Sequence, residues 1–65
     1  MNDISPETRL FIRNRAKRLA GELMTRLSSA GNDLEKDDHR AVLGELALAE
    51  IQLQHLRAIV RLLAT

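Results

Sequence analysis

The fold of this chain is decided by residues 42–63, which read VLGELALAEIQLQHLRAIVRLL. No proline interrupts this stretch, and its apolar residues recur at alternating spacings of three and four, as in an amphipathic helix or coiled coil. Two such rows run side by side: Val42, Leu46, Ala49, Leu53, Leu56, Val60 and Leu63, and Gly44, Leu48, Ile51, His55, Ala58 and Leu62, with Ile59 between them. One partner helix covers one row, so the pattern predicts a helix with neighbours on two sides. The alternative is a broad crossing in which one helix covers both rows.

Local signals predict a first helix before this stretch. Ser5 is a candidate N-cap, followed by Pro6 at the first helical position, so this helix is expected to begin at about residue 6. Gly31 predicts its end near residue 30. Asp37 or Asp38 is a candidate cap of the second helix. The expected arrangement is a helix at about 6–30, a turn at about 31–37 and a helix at about 38–64.

The two helices are predicted to form an all-α, antiparallel two-helix hairpin within a single domain, 1–65, because the connection between them is short. The face of the first helix expected to meet the row 42–63 contains Ile12, Ala16, Leu19, Leu23, Leu27 and Ala30. Two helices of this size bury little apolar surface, and the chain has no cysteine for a disulfide. We therefore expect a second copy or a partner protein to complete a helical bundle. Leu53→Asp is expected to unfold the chain, and Ile51→Asp to abolish association alone.

The row that the hairpin leaves uncovered is the expected partner-binding surface. Its residues, extended at the open end of the hairpin, are Leu10, Phe11, Leu48, Ile51, His55, Ile59 and Leu62. Phe11 is the only aromatic residue, and it lies off the apolar face of the first helix. It is interpreted as a cap over the open end, a dimer contact or an anchor for another protein. The predicted function is a small non-enzymatic protein-binding module, such as a phage- or plasmid-type inhibitor of a host protein.

A run of basic residues in the first helix suggests nucleic acid as the alternative partner. The run, which contains no acid, is Arg9, Arg13, Arg15, Lys17 and Arg18. A phosphate-binding stripe concentrates its charge on one helix face, whereas these residues spread around the helix, which favours solvated charge beside the core. The alternative that stays open is a homodimeric four-helix-bundle regulator that binds RNA or DNA through them.

Catalysis, metal binding and membrane insertion find little support in the sequence. His39 and His55 are too far apart on one helix to share a metal ion, and the acidic residues Glu35, Asp37 and Asp38 are expected to complement and cap the start of the second helix. No glycine-rich phosphate loop, serine elbow or cysteine nucleophile occurs. We therefore expect no enzyme activity, no cofactor and no metal. The chain lacks the roughly 20 consecutive apolar residues of a membrane span, so a cytoplasmic location is expected.

Both helices together show a resemblance to a known family. A first helix rich in Leu, Ala and Arg, a glycine-containing turn, and the segments LALAE at 46–50 and IVRLL at 59–63 resemble the small hairpin co-chaperones of type III secretion needle subunits. The resemblance covers about residues 10–64. It implies a cytoplasmic protein that joins a helical-repeat chaperone and keeps a needle subunit unpolymerised. It implies no catalytic or ligand-binding residue.

Overall fold

The computed structural model describes residues 4–64 and contains two antiparallel helices, α1 (Pro6–Glu35) and α2 (His39–Ala64). The hairpin measures 51 × 16 × 11 Å along its principal axes. The prediction of an all-α helical hairpin is confirmed. Over residues 4–64, neither helix has an apolar run of the length that a bilayer requires.

The first helix begins where the sequence predicts. The Ser5 hydroxyl oxygen accepts a hydrogen bond from the Thr8 backbone N–H at 3.2 Å, and Pro6 occupies the first helical position. Proline is well suited to this position because the first amides of a helix have no helical carbonyl partner. The cap and the proline together fix the start of α1 at residue 6.

The end predicted for α1 near residue 30 is wrong, because the helix continues through Gly31 to Glu35. The chain instead turns at Asp37, whose φ of 57° is the only positive value at a non-glycine residue within the described range. The Asp37 N–H donates to the Leu34 carbonyl at 3.1 Å, and the Asp38 N–H donates to the Asp33 carbonyl at 2.9 Å. This is the Schellman pattern, with aspartate in the position that glycine usually takes. A helical glycine costs only about 1 kcal/mol, so Gly31 does not stop the helix by itself.

Asp38, one of the two residues predicted to cap α2, ends the turn and forms this cap. Its Oδ1 accepts a hydrogen bond from the Ala41 N–H at 3.2 Å, and its carbonyl accepts one from the Val42 N–H at 3.1 Å. The connection is therefore residues 36–38, which is shorter than the predicted turn at 31–37. As a consequence Glu35 lies in the last turn of α1 and does not cap α2.

The core between the helices is built from small residues. Within residues 4–64 the buried side chains are Ala16, Ala30, Val42 and Ala49. The predicted α2 row is only partly correct, because Leu46, Leu53 and Val60 remain 41%, 41% and 46% exposed. The less exposed positions in their place are Glu45, Gln52 and Ile59. The inward face of α2 is therefore shifted by one residue, and Ile59, predicted to face a partner, belongs to the hairpin.

Candidate protein interface

One side of the hairpin carries an apolar groove of about 650 Å³ between the two helices. We call it the leucine groove. One charged side chain, Glu50, lines the groove. Its other lining residues are apolar: Leu23, Leu27, Leu43, Leu46, Ala47, Ala49 and Leu53. Most of its leucines are exposed, up to 68% at Leu43. Leucine is usually buried, so several exposed leucines along one groove indicate a contact surface.

The groove extends beyond its lining residues along both helices. Leu34 lies two helical turns after Leu27 on α1, and Val60 lies two turns after Leu53 on α2, so each falls on the same side as its predecessor. Both Leu34 and Val60 are exposed. The apolar surface therefore follows much of the length of the hairpin.

On the opposite side of the hairpin, polar side chains fill the contact between α1 and the middle of α2. The Arg26 guanidinium donates from Nε to Gln52 Oε1 and from Nη1 to Glu45 Oε1, both at 2.9 Å. The Arg26 and Glu45 side chains are 30% and 25% exposed. Arg26 thus bridges the helices and fixes their register, because both of its partners lie on the inward face of α2. Sequence reasoning missed this bridge, although Glu45 and Gln52 keep the three-four spacing with Ala49.

The α2 residues predicted to contact a partner differ in their exposure and surroundings. Leu48, Ile51 and Leu62 are exposed on α2, on the side away from Leu46 and Leu53. His55 and the partly buried Ile59 line a smaller cavity of about 380 Å³, which also contains Arg15, Leu19 and Ala58. Arg15 of α1 therefore places a basic side chain at the cavity that His55 and Ile59 line.

Leu10 and Phe11, the two predicted contacts on α1, are both exposed, Phe11 by 68%. Phe11 therefore does not cap the open end of the isolated hairpin, which contradicts one of its three interpretations. Its roles as a dimer contact or as an anchor for another protein stay predictions.

The basic residues of α1 have different surroundings. Arg9 donates from Nη1 to the Leu63 carbonyl at 2.8 Å and so satisfies one of the free carbonyls at the end of α2. The exposed residues Arg13, Arg15, Lys17 and Arg18 follow it on α1. Because the helices are antiparallel, Arg57 and Arg61 of α2 lie at the same end of the hairpin as these residues.

Charge is divided between the two ends of the molecule. We define the open half as residues 4–20 and 54–64, and the turn half as residues 21–53. The open half carries seven Arg or Lys against Glu7 alone, a net charge of +6. The turn half carries three Arg or Lys against seven acids, a net charge of −4. The hairpin is therefore strongly dipolar along its length.

The described residues contain no group of three or more His, Cys, Asp or Glu side chains placed to hold a metal ion. His39 Nε2 lies 3.9 Å from Asp37 Oδ1 in a highly exposed pair near the turn. Exposed pairs of this kind contribute little to stability.

Comparison with protein-family models, with curated proteins and with solved structures finds no match to this chain.

Proposed function

We propose that this protein is a protein-binding module whose leucine groove takes an amphipathic helix. The observation that carries the proposal is the amount of surface that the hairpin leaves exposed. Its accessible surface is 5303 Å² for a mass of 7.3 kDa, whereas a compact monomer of that mass exposes about 4,200 Å². The excess of about 1,100 Å² is comparable with the roughly 800 Å² that one partner contributes to a standard interface.

The shape of the groove supports a helix as the bound element. Leu23 and Leu27 lie one turn apart on α1, and Leu46 and Leu53 lie two turns apart on α2. In helix-in-groove recognition the bound helix anchors apolar side chains one and two turns apart in an apolar groove, and the groove leucines repeat at the same distances. A third helix seated here would cover leucines that the hairpin alone leaves in water. The groove thus replaces the row around Leu48 as the proposed primary contact.

Two specific forms of this function follow from the sequence. The resemblance to hairpin co-chaperones supports a cytoplasmic subunit that shields part of a type III secretion needle protein. The second form is a phage- or plasmid-type inhibitor that occupies a helix-binding surface of a host protein. Both use the same groove and need no enzyme activity or cofactor.

Photo-crosslinking in the cells that make the protein tests the groove directly. A benzophenone amino acid replaces Leu43, which is exposed in the groove, or Asn32, an exposed α1 residue on the face opposite Leu23. We expect discrete protein adducts, with a second copy or another protein, from position 43 and none from position 32. Circular dichroism of both variants checks that the helices are retained. Absence of adducts at position 43, or equal adducts at both positions, would contradict the proposal.

A second candidate function, nucleic-acid binding, is favoured by the net charge of +6 on the open half. Arg57 and Arg61 of α2 lie beside the basic residues of α1, so positive charge comes from both helices at this end of the hairpin. Binding of this kind releases counterions, so affinity for RNA or DNA would fall by orders of magnitude between about 50 and about 200 mM salt. Filter binding across that range, with Arg57→Gln/Arg61→Gln as the variant, tests it. Affinity that is absent, or unchanged in the variant, would exclude this candidate.

A further inference from the structure

We infer that the occupant of the leucine groove is a second copy of this chain, lying antiparallel, so that the acidic turn half of each copy faces the basic open half of the other. This inference rests on the proposed function, because it requires that the groove bind a helix. It adds the identity of the partner and its orientation.

The first argument is the area that the hairpin leaves exposed over its whole surface. The excess surface of about 1,100 Å² exceeds the roughly 800 Å² per partner of a standard interface. A hairpin 51 Å long that lies along an equal hairpin can bury this surface in a single contact. A twofold axis through the groove pairs the same apolar patch with itself, and such an interface closes after two copies. The product is a four-helix bundle in which leucines from both copies share one core.

The second argument is charge complementarity, and it decides the orientation. Parallel copies would place a net charge of +6 against +6 and −4 against −4, whereas antiparallel copies place +6 against −4 at both ends. The same pattern appears locally beside the groove. Glu50 lies at the groove in the turn half, and Arg57 follows it by two helical turns on the same side of α2, in the open half. An antiparallel copy inverts this order and brings unlike charges together.

The orientation can be measured with single cysteines, since the chain contains none of its own. Pyrene is attached to Lys36→Cys in the turn or to Ala64→Cys at the end of α2, both exposed positions. Excimer emission requires two pyrenes in near contact. We expect an excimer from an equimolar mixture of the two labelled chains and none from either labelled chain alone. Excimer emission from a singly labelled sample would indicate parallel copies and would overturn the inference.

Charge reversal tests the second argument independently. Arg57→Glu/Arg61→Glu lowers the net charge of the open half from +6 to +2, and Glu35→Lys/Glu50→Lys raises that of the turn half from −4 to 0. Each variant alone places like charges at residues 50 and 57 of facing copies, and the mixture of the two restores unlike charges there. We expect each variant alone to dimerise at least tenfold more weakly than the unmodified chain, and an equimolar mixture of the two to regain dimers. Arg40→Glu, an exposed change at the start of α2 outside the groove, is the control and should leave dimerisation within twofold. Variants that dimerise like the unmodified chain would overturn the inference.

Failure of the inference is distinguishable from failure of the proposed function. Light scattering over a range of protein concentrations measures the molar mass. If the folded chain stays at 7.3 kDa and position 43 gives adducts to another protein, the inference of a second copy is overturned and the proposed groove is supported. Absence of any adduct at Leu43 overturns the proposed function itself. A mass near twice 7.3 kDa, with excimer emission only in the mixed sample, supports both.

Discussion

Arg26 is the residue that gives the hairpin its two unlike sides. Its guanidinium holds Glu45 and Gln52 at 2.9 Å each, so polar side chains occupy the inward positions of α2 that an apolar row was expected to fill. The leucines at 46 and 53 are displaced toward the opposite side as a result. One arginine on α1 therefore contributes both to the register of the helices and to the exposure of the groove.

Removing Arg26 should destabilise the hairpin measurably. Arg26→Ala leaves the partly buried Glu45 carboxylate without its partner, and the loss of charged hydrogen bonds predicts a decrease of about 1–3 kcal/mol in the free energy of unfolding. Urea denaturation followed by circular dichroism at one fixed protein concentration measures it. Arg18→Ala, an exposed control on the same helix, should stay within about 0.5 kcal/mol. Equal effects of the two substitutions would show that the bridge contributes nothing.

Asp37 offers a second test at the residue scale. Its φ of 57° is unfavourable for a residue with a Cβ atom and natural for glycine. Asp37→Gly should therefore raise the free energy of unfolding by about 0.5–1 kcal/mol, and Asp37→Ala should lower it. Lys36→Gly is the matched control, because Lys36 has a φ of −91° and glycine there should only destabilise. Stabilisation by glycine at both positions would contradict the role assigned to Asp37.

At the scale of the helix, the sequence leaves the inward face of α2 ambiguous. Val42, Ala49, Leu56 and Leu63 are seven residues apart and belong to two possible faces. Steps of four then three complete one face with Leu46, Leu53 and Val60, and steps of three then four complete the other with Glu45, Gln52 and Ile59. Apolarity alone selects the first face. The structure takes the second because Arg26 satisfies its polar members, a contact across helices that one helix's pattern cannot reveal.

Other features follow directly from local sequence. The start of α1 and the cap of α2 were predictable because the side chains of Ser5 and Asp38 accept hydrogen bonds from backbone amides only three residues further along the chain. The end of α1 was not, because Gly31 is compatible with both a helix and a helix end. The leucine groove was missed for a similar reason, since its lining comes from two helices whose register the sequence alone does not fix.

The small residues between the helices give a prediction at this scale. Ala49 is 6% exposed and faces α1, so Ala49→Leu should overpack the interface and lower the free energy of unfolding by about 1–3 kcal/mol. Ala64→Leu, the same change at an exposed position about four turns further along α2 that lines neither the leucine groove nor the cavity at His55, should be nearly neutral. Thermal denaturation of the two variants compares them. A neutral Ala49→Leu would mean that the helices are not held this close together.

At the scale of the whole molecule, folding and association are expected to be linked. Among residues 4–64 the buried side chains are three alanines and one valine, so the hairpin alone supplies little hydrophobic stabilisation. A copy that docks in the leucine groove binds the folded chain only, and binding of that kind raises the midpoint of thermal unfolding as protein concentration rises. The unmodified chain should show this dependence.

Leu53→Asp distinguishes the groove from the hairpin core. The sequence alone predicts that it unfolds the chain, but Leu53 is 41% exposed in the groove, so an aspartate there reaches water in the single hairpin. We now expect the variant to keep its helicity at high concentration while its unfolding midpoint no longer depends on concentration. Ile51→Asp, an exposed change outside the groove lining, should leave the dependence intact. If only Ile51→Asp loses the dependence of the unfolding midpoint on concentration, association belongs to the row around Leu48. An aspartate at residue 51 weakens self-association only if the second copy covers that row.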